Sequence, residues 1–469
     1  MRYLALLLAA LTSAEMQAYE LAPRLVVNVT IDQLRSDYVE AFSNFYSQYG
    51  FRRLLDKGRI YDAASYSFYP IDRASATASI ATGTTPYYNG IVGNSWLDRT
   101  TLQPIGCVDD GKGSYTADRL RTSTIGDELK LNSNGKALVY SFAADRESAI
   151  LLAGHAADGA FWIEDGNRWT TSPYYCKSLP KWARDYNDNF EDFEKKKKLY
   201  QVNDNVVDMA LQAMNATDLG KDDVTDIINV VLSAKKSDNK PGTKWHDDME
   251  AVYHELDYTL GHFVDAVERR MGLSQVLFVV TSTGYSEEPE NDVAKFRIPT
   301  GTFYINRTAS LLNMYLGAIY GSGRYVEQEY NNEIYLNHRL IEQKRITMQE
   351  LLKRCQEFLL QNAGVADVFT SDRLMSGNND ILKIRAGHNP SLSGDIIINV
   401  APGWRLLNED TGQTFFSRAS VVPFPIIFFG TGIQHERVST PVTVEQIAPT
   451  IAKAIRIRAP NACQEAPLF

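Results

Sequence analysis

Cysteine is scarce in this chain: Cys107, Cys176, Cys355 and Cys463 are the four among 469 residues, and no two form a CxxC pair. That spacing speaks against a thiolate zinc site. In an oxidising compartment an even count permits two disulfides in three pairings, or leaves buried thiols. Positive charge is in deficit, with 48 Lys and Arg against 57 Asp and Glu and a formal charge of -9. A long polyanion such as nucleic acid is thereby disfavoured as a partner, because phosphate contacts need clustered cations. The one dense cationic run, Lys195 to Lys198, follows Glu191, Asp192 and Glu194 and reads as a solvated helix face. Also missing are internal repeats, low-complexity tracts and any apolar run of the ~20 residues that a membrane-spanning helix needs.

The N-terminus does carry a short apolar run. Met1, Arg2 and Tyr3 precede Leu4 to Leu11, and small residues follow at Ala14 and Ala18. Charge, apolar segment and small-residue cleavage site, in that order, read as a secretory signal peptide over residues 1–18. The mature chain, 19–469, is then expected to be exported to the periplasm or to associate with the outer membrane, with no transmembrane segment. No Cys near the cleavage sites offers a lipid attachment point.

Short β-branched runs end in polar residues and hand over to helical periodicity. Leu25 to Ile31 runs into Asp32, Ala137 to Phe142 into Asp145, Ile227 to Leu232 into Ser233, and Val276 to Thr281 into Ser282. Alternating strands and amphipathic helices predict an α/β fold, a mostly parallel central sheet with helices on both faces. Ligands in such sheets sit beyond the carboxyl ends of the strands. The longest helix is expected over about Trp245 to Met271, with Met249, Val252, Leu256, Leu260, Phe263 and Val267 on one face. His246, His254 and His262 share that helix but stand two turns apart, ~12 Å, so one ion is out of reach of all three. Tyrosine-rich mixed sequence from about 287 to 390 predicts an inserted cap, after which a strand at Asp395 to Val400, a strand at Pro425 to Gly430 and a helix near Val444 to Ile455 complete the domain.

In order along the chain, Ile31-Asp32-Gln33-Leu34-Arg35-Ser36-Asp37-Tyr38, Ala78-Ser79-Ile80-Ala81-Thr82-Gly83 and Gly90-Ile91-Val92-Gly93-Asn94-Ser95-Trp96 are followed by Asp145-Arg146, Ala153-Gly154-His155 and Gln446-Ile447-Ala448-Pro449-Thr450. These stretches resemble the alkaline phosphatase superfamily, and most closely the phosphate-irrepressible, threonine-nucleophile alkaline phosphatases of Bacteroidetes-type bacteria. The resemblance implies hydrolysis of phosphate monoesters by a nucleophilic Thr or Ser with two zinc ions, which activate the nucleophile and stabilise the leaving oxygen. It also implies three Asp and three His as metal ligands.

Position by position, much of that inventory is replaced. Asp32 matches the first ligand. The nucleophile position, five residues before Ala78, holds Arg73, and a guanidinium stays protonated and cannot attack phosphorus. Ser75 and Thr77 are hydroxyls two and four residues out of register. After Leu232 the family's Asp-x-x-x-His pair is reduced to Asp238, the family's Asp-His-Gly is Ser282-Thr283-Gly284, and the last His falls near Thr414-Phe415-Phe416, which has none. Of the phosphate pocket, Asn94 and Arg146 persist while a Lys is replaced by Ala144.

The sequence-based expectation is therefore a degenerate site at Asp32, Arg73, Ser282 and Thr283, with no catalytic residue intact, no metal ligand set and the zinc cofactors absent. Arg73 is expected to take the space of a metal and to balance Asp32, since an uncompensated buried carboxylate costs several kcal/mol. The function expected is that of a catalytically inactive pseudoenzyme, a binding or scaffold component of a cell-envelope protein complex. Two alternatives stay open: a metal-dependent phosphomonoesterase or phosphodiesterase with an atypical site, and a binder of phosphorylated or sulfated glycans with weak anion affinity at Asn94 and Arg146.

Overall fold

The computed structural model describes residues 22–164, 168–196, 202–235, 245–286, 299–376, 381–416 and 422–469. The segment expected to be a signal peptide, Asp238, and the side chains of Lys195 to Lys198 and of His246 lie outside the described residues.

The run LVVNVTID becomes the strand Leu25–Asp32, buried along its whole length. β-Branched residues favour the extended backbone, and both faces of this strand are covered: Leu25, Val27, Val29 and Ile31 pack into one core cluster and Val26 into the other. The strand lies at the middle of the sheet, parallel on one side to Asp226–Ser233 and on the other to Val276–Ser282. The same register aligns Asp32 with Ser233 and Ile31 with Ser282, so the polar residues that end these runs share one carboxyl edge. Across this pair the buried Asn28 amide donates to Asn229 Oδ1 at 3.1 Å, and the Asn229 amide donates in turn to the Leu152 carbonyl at 3.2 Å.

Among the described residues the central sheet has ten strands. Val139–Phe142 and Gly159–Glu164 extend it in parallel beyond Asp226–Ser233. Phe424–Gly430 enters antiparallel between Val276–Ser282 and Arg59–Ser65, and Arg168–Thr171 is antiparallel at the far edge, which makes the sheet mixed. One face is covered by the helices Arg73–Thr82, Ile125–Asn132, Arg146–Ala153 and Ile447–Ala454. The other is covered by Val202–Ala216 and Trp245–Met271, the latter burying Met249, Leu256, Leu260, Phe263 and Val267. This is the expected α/β architecture.

The cap is a second body with its own core. Val326–Tyr330, Glu333–Leu336, Ile396–Val400 and Val365–Thr370 form a four-stranded antiparallel sheet under the helices Ile305–Tyr320 and Met348–Leu359. The strand expected to follow the cap at Asp395 to Val400 instead sits within it. Ile396, Ile398 and Val400 pack with Leu312, Leu351 and Leu359, and an apolar run carries no mark of which sheet it joins. Thr414–Phe416, where the family's last His falls, is a strand paired with Trp404–Leu407 in a three-stranded sheet.

The two disulfides that the cysteine count permits do not form, and all four cysteines are free thiols. The reason is placement. Cys107 and Cys355 are buried in separate cores, one under the central sheet and one in the cap, and the Cys176 thiol donates to the Asp158 carbonyl instead.

Candidate functional site

The carboxyl edge of the central sheet is where Asp32 emerges, 4% exposed. Gln33 turns the chain there in the left-handed region, φ 63°. Facing the edge is the amino end of the helix Arg73–Thr82. Asp72 caps it: the Asp72 carboxylate accepts from the Ser75 N–H at 2.9 Å, and the Ser75 hydroxyl serves the N-cap in return. Such a reciprocal cap satisfies backbone donors that the first helical turn leaves unpaired. Ala74, Ala76, Ala78 and Ala81 keep the helix thin enough to be buried on all sides. It ends at Gly83, φ 65°, where a Cβ would stand 3.0 Å from the Glu445 carbonyl oxygen and 3.1 Å from the Cys463 sulfur.

Arg73 is the first residue of this helix. Helix amino termini carry partial positive charge and ordinarily receive anions, so a cation there needs carboxylates close by. Two are present. Asp72 is adjacent, and Arg73 Nε stands 3.3 Å from Asp32 Oδ2 with its side chain 26% exposed. Asp32 has further donors: the Thr283 hydroxyl at 2.9 Å on Oδ1 and the Tyr285 hydroxyl at 3.4 Å on Oδ2. Thr283 itself accepts from the Gln33 N–H at 3.0 Å. Ser282, fully buried, donates to the Leu34 carbonyl at 2.8 Å and accepts through its own carbonyl from Tyr66 at 2.9 Å. Arg73, Asp32, Thr283 and Tyr285 thus form one hydrogen-bonded cluster at the sheet edge, with Ser282 turned into the backbone beside it.

The phosphate-pocket positions are engaged too. Asn94 Oδ1 accepts from the Ala74 N–H at 3.2 Å, and the Asn94 N–H donates to Asp72 Oδ2 at 2.5 Å. Arg146 opens the helix Arg146–Ala153, stacks 3.8 Å over the Tyr115 ring and donates to Glu147 at 3.0 Å. Burial works against its charge, but the Glu147 carboxylate holds its pKa above the usual arginine range. Of the out-of-register hydroxyls, Ser75 is held in the cap and Thr77 is fully buried with no hydrogen-bond partner for its oxygen among the described residues. His155 is bonded at both ring nitrogens, to Asp127 and to the Leu120 carbonyl, each at 2.9 Å.

Sequence reasoning did not find Tyr285, Asp72 or Tyr115. Asp72 had a readable signal, an Asp with a Ser three residues on at the start of an apolar run. Tyr285 and Tyr115 had none, because each reaches its partner only through the fold.

Comparison with known proteins gives consistent kinship. The family model for type I phosphodiesterase / nucleotide pyrophosphatase matches residues 26–421. Alkaline phosphatase PafA of Elizabethkingia meningoseptica is 25% identical, with 95% of this chain and 94% of that protein covered. A protein of Myroides odoratus named a calcium-transporting ATPase is 28% identical over 94% of this chain and 93% of its own length. The crystal structure of wild-type alkaline phosphatase PafA superposes with a TM-score of 0.83 at 23% identity, covering 95% of this chain and 98% of that one.

This kinship corrects the expectation that the family's zinc ions are absent. Alkaline phosphatases by name are among the relatives that align over nearly the whole chain, the class whose resemblance implies a pair of zinc ions, so descent argues for a metal and the no-cofactor reading is withdrawn. The residues present do not supply a matching donor set. Among the described residues no group of three or more His, Cys, Asp or Glu converges to hold an ion, and Asp32, the retained carboxylate, is already bonded to three side chains. With its central mixed sheet, its Asp32 edge and a family match over most of its length, the chain belongs to the type I phosphodiesterase / nucleotide pyrophosphatase family and stands with the alkaline phosphatases of that superfamily.

Proposed function

We propose that the chain is a noncatalytic member of this family, a pseudoenzyme that serves as a binding or scaffold component of a protein complex at the bacterial cell envelope. The observation that carries the reading is Arg73: it occupies the position of the nucleophile, and its guanidinium is bonded to the carboxylate that matches the first metal ligand. A guanidinium offers no nucleophilic lone pair near neutrality. The neighbouring hydroxyls do not replace it, since Ser75 is tied into the helix cap and Thr77 is sealed from solvent. Without a nucleophile, two polar side chains that already have protein partners fall far short of the acceleration that phosphate monoester hydrolysis demands, up to ~10²¹-fold.

Export is supported by the pattern of residues 1–18, and no helix among the described residues is long and apolar enough to cross a membrane. A protein partner is supported by apolar side chains left at the surface. Met314 and Leu311, 70% and 52% exposed, stand on the cap helix, and Tyr258 is 70% exposed on the long helix of the main body. Aromatic residues and Met are enriched at protein interfaces.

The test uses the mature chain purified from its native envelope. An aryl phosphate monoester and a diester are expected to be hydrolysed no faster than in buffer, and a protein partner is expected to co-purify in fixed proportion. Zinc content is measured in parallel; bound zinc without turnover leaves the reading intact. Turnover above background overturns the noncatalytic assignment, and recovery of the chain alone overturns the scaffold role.

A further inference from the structure

A second charged cluster lies where the cap meets the main body. Ser95–Leu97 pairs antiparallel with Pro104–Gly106 in a hairpin that reaches toward the cap, and Arg99 is carried in its turn. The Arg99 guanidinium contacts both Asp395 oxygens at 3.3 Å, donates to the Ser393 carbonyl at 2.5 Å and lies 5.1 Å over the Tyr335 ring. From the cap's own side, His338 Nε2 is 2.8 Å from Asp395 Oδ1 and the Leu336 N–H donates to Oδ2 at 2.8 Å. Glu333, beside them, accepts from the Gly394 N–H and the Tyr335 hydroxyl at 2.9 and 2.8 Å.

The strap Gly387 to Asp395 continues this junction across the body. Asn389 donates to the Tyr87 carbonyl at 2.9 Å, Arg121 donates to the Ser391 hydroxyl at 3.0 Å, and a Cβ on Gly387 would stand 2.3 Å from the Tyr69 carbonyl oxygen. Within the strap His388 is 4% exposed, and its Nδ1 is buried with no hydrogen-bond partner among the described residues. Arg99 and Asp395 act electrostatically on this histidine; Arg121, Glu333 and His338 are bonded to the same strap at Ser391, Gly394 and Asp395, and the Arg385 carbonyl accepts from the His388 N–H.

We propose that this junction is an acid-released latch. At neutral pH Arg99 bridges body and cap through Asp395, and proton uptake by His338 and His388 supplies the cap with its own positive charge and loosens the hairpin's hold on the strap. The geometry sets the sign. Burial and the field of Arg99 oppose protonation of His388 while the junction is closed; at His338 the hydrogen bond to Asp395 outweighs burial and Arg99 and favours the proton, so the sign is carried by His388. Protons therefore bind better to the form in which Arg99 has withdrawn, and by linkage acid favours that form. Burial, with Arg99 adding to it, pushes the His388 pKa down to about 4. In the opened form the strap exposes His388 to water, where a histidine titrates near 6.5, so moving from pH 7.5 to pH 5 favours opening by roughly 30-fold.

The inference is independent of the noncatalytic reading, although the two sites share the hairpin. Asn94, which accepts from the Ala74 N–H, immediately precedes Ser95, whose hydroxyl is 2.6 Å from the Tyr330 hydroxyl of the cap.

Hydrogen exchange of the full chain at pH 7.5 and pH 5, corrected for intrinsic exchange, tests the latch. Peptides over 95–106 and 382–395 are expected to lose protection by roughly 30-fold at pH 5, while those over the strand Leu25–Asp32 hold theirs. His388→Gln is expected to reduce that response to less than about threefold. Equal protection at both pH values in the native chain overturns the proposal, as does a His388→Gln chain that keeps the full acid response. If His388→Gln does not fold, Arg99→Gln serves instead: the same peptides should exchange fast at both pH values, and a retained thirtyfold acid response would overturn the latch.

Discussion

Asp32 and Asp395 are both buried carboxylates, 4% and 5% exposed, and each meets an arginine at 3.3 Å. They differ in what completes the shell. Asp32 adds two hydroxyls, Thr283 and Tyr285, whereas Asp395 adds an imidazole and a backbone N–H. A guanidinium and an aliphatic hydroxyl keep their protons throughout the neutral range, while histidine changes charge within it. The same pairing of carboxylate and arginine therefore gives a fixed tie at the sheet edge and an adjustable one at the cap.

The largest effect should come from breaking the fixed tie. Arg73→Met leaves Asp32 with two neutral side-chain donors, and removing one partner of a buried pair is costly because the other charge stays behind. With Arg73 about a quarter exposed, water recovers part of the loss, so the expected cost is about 2–3 kcal/mol. It should read out as a lower urea midpoint at unchanged slope, with the same size at pH 6 and pH 9. Adding Asp32→Asn should restore at least half. A single variant as stable as the native chain would show that Arg73 does not balance Asp32.

A smaller effect of opposite sign is expected one turn further along that helix. Thr77 is fully buried and its hydroxyl is unpaired among the described residues, unlike either carboxylate cluster. Thr77→Val keeps the shape and removes the orphaned polar group, so stability should rise by about 1 kcal/mol. A loss of stability would mean that the hydroxyl has a partner, such as an ordered water, and would reopen Thr77 as a group with a task.

How much of this was legible differs between the two clusters. The Asp32 side could be read in order because its members end predictable strands or begin a predictable helix. Asp32 and Ser282 close β-branched runs, Thr283 follows directly, and Arg73 falls at a fixed interval before Ala-Ser-Ile-Ala-Thr-Gly. The sheet and its two helical faces followed from the same periodicities. The Asp395 side could not be read. Arg99 and Asp395 are 296 residues apart, and the strand after Asp395 looked like a return to the central sheet because its Ile-rich run is compatible with any buried strand. Cysteine count set a limit on disulfides but said nothing of distance, and the thiols proved to sit in different cores.

The adjustable tie can be tested by its smallest component, His338. Its hydrogen bond to Asp395 raises its pKa above the usual histidine value, and this outweighs burial and the opposing field of Arg99. A folded-state pKa above the unfolded one means that the pair contributes stability below about pH 6.5, where both states are protonated, and that the contribution is lost as pH rises through the folded value. His338 is 56% exposed, so solvent screens most of the interaction. His338→Gln should therefore lower stability by only about 0.5 kcal/mol at pH 5.5 and by nothing measurable at pH 9. Denaturant midpoints of the two chains plotted against pH should converge upward. Parallel curves would mean that His338 acts as a neutral hydrogen-bonding group, which would leave His388 as the group through which acid reaches the cap junction.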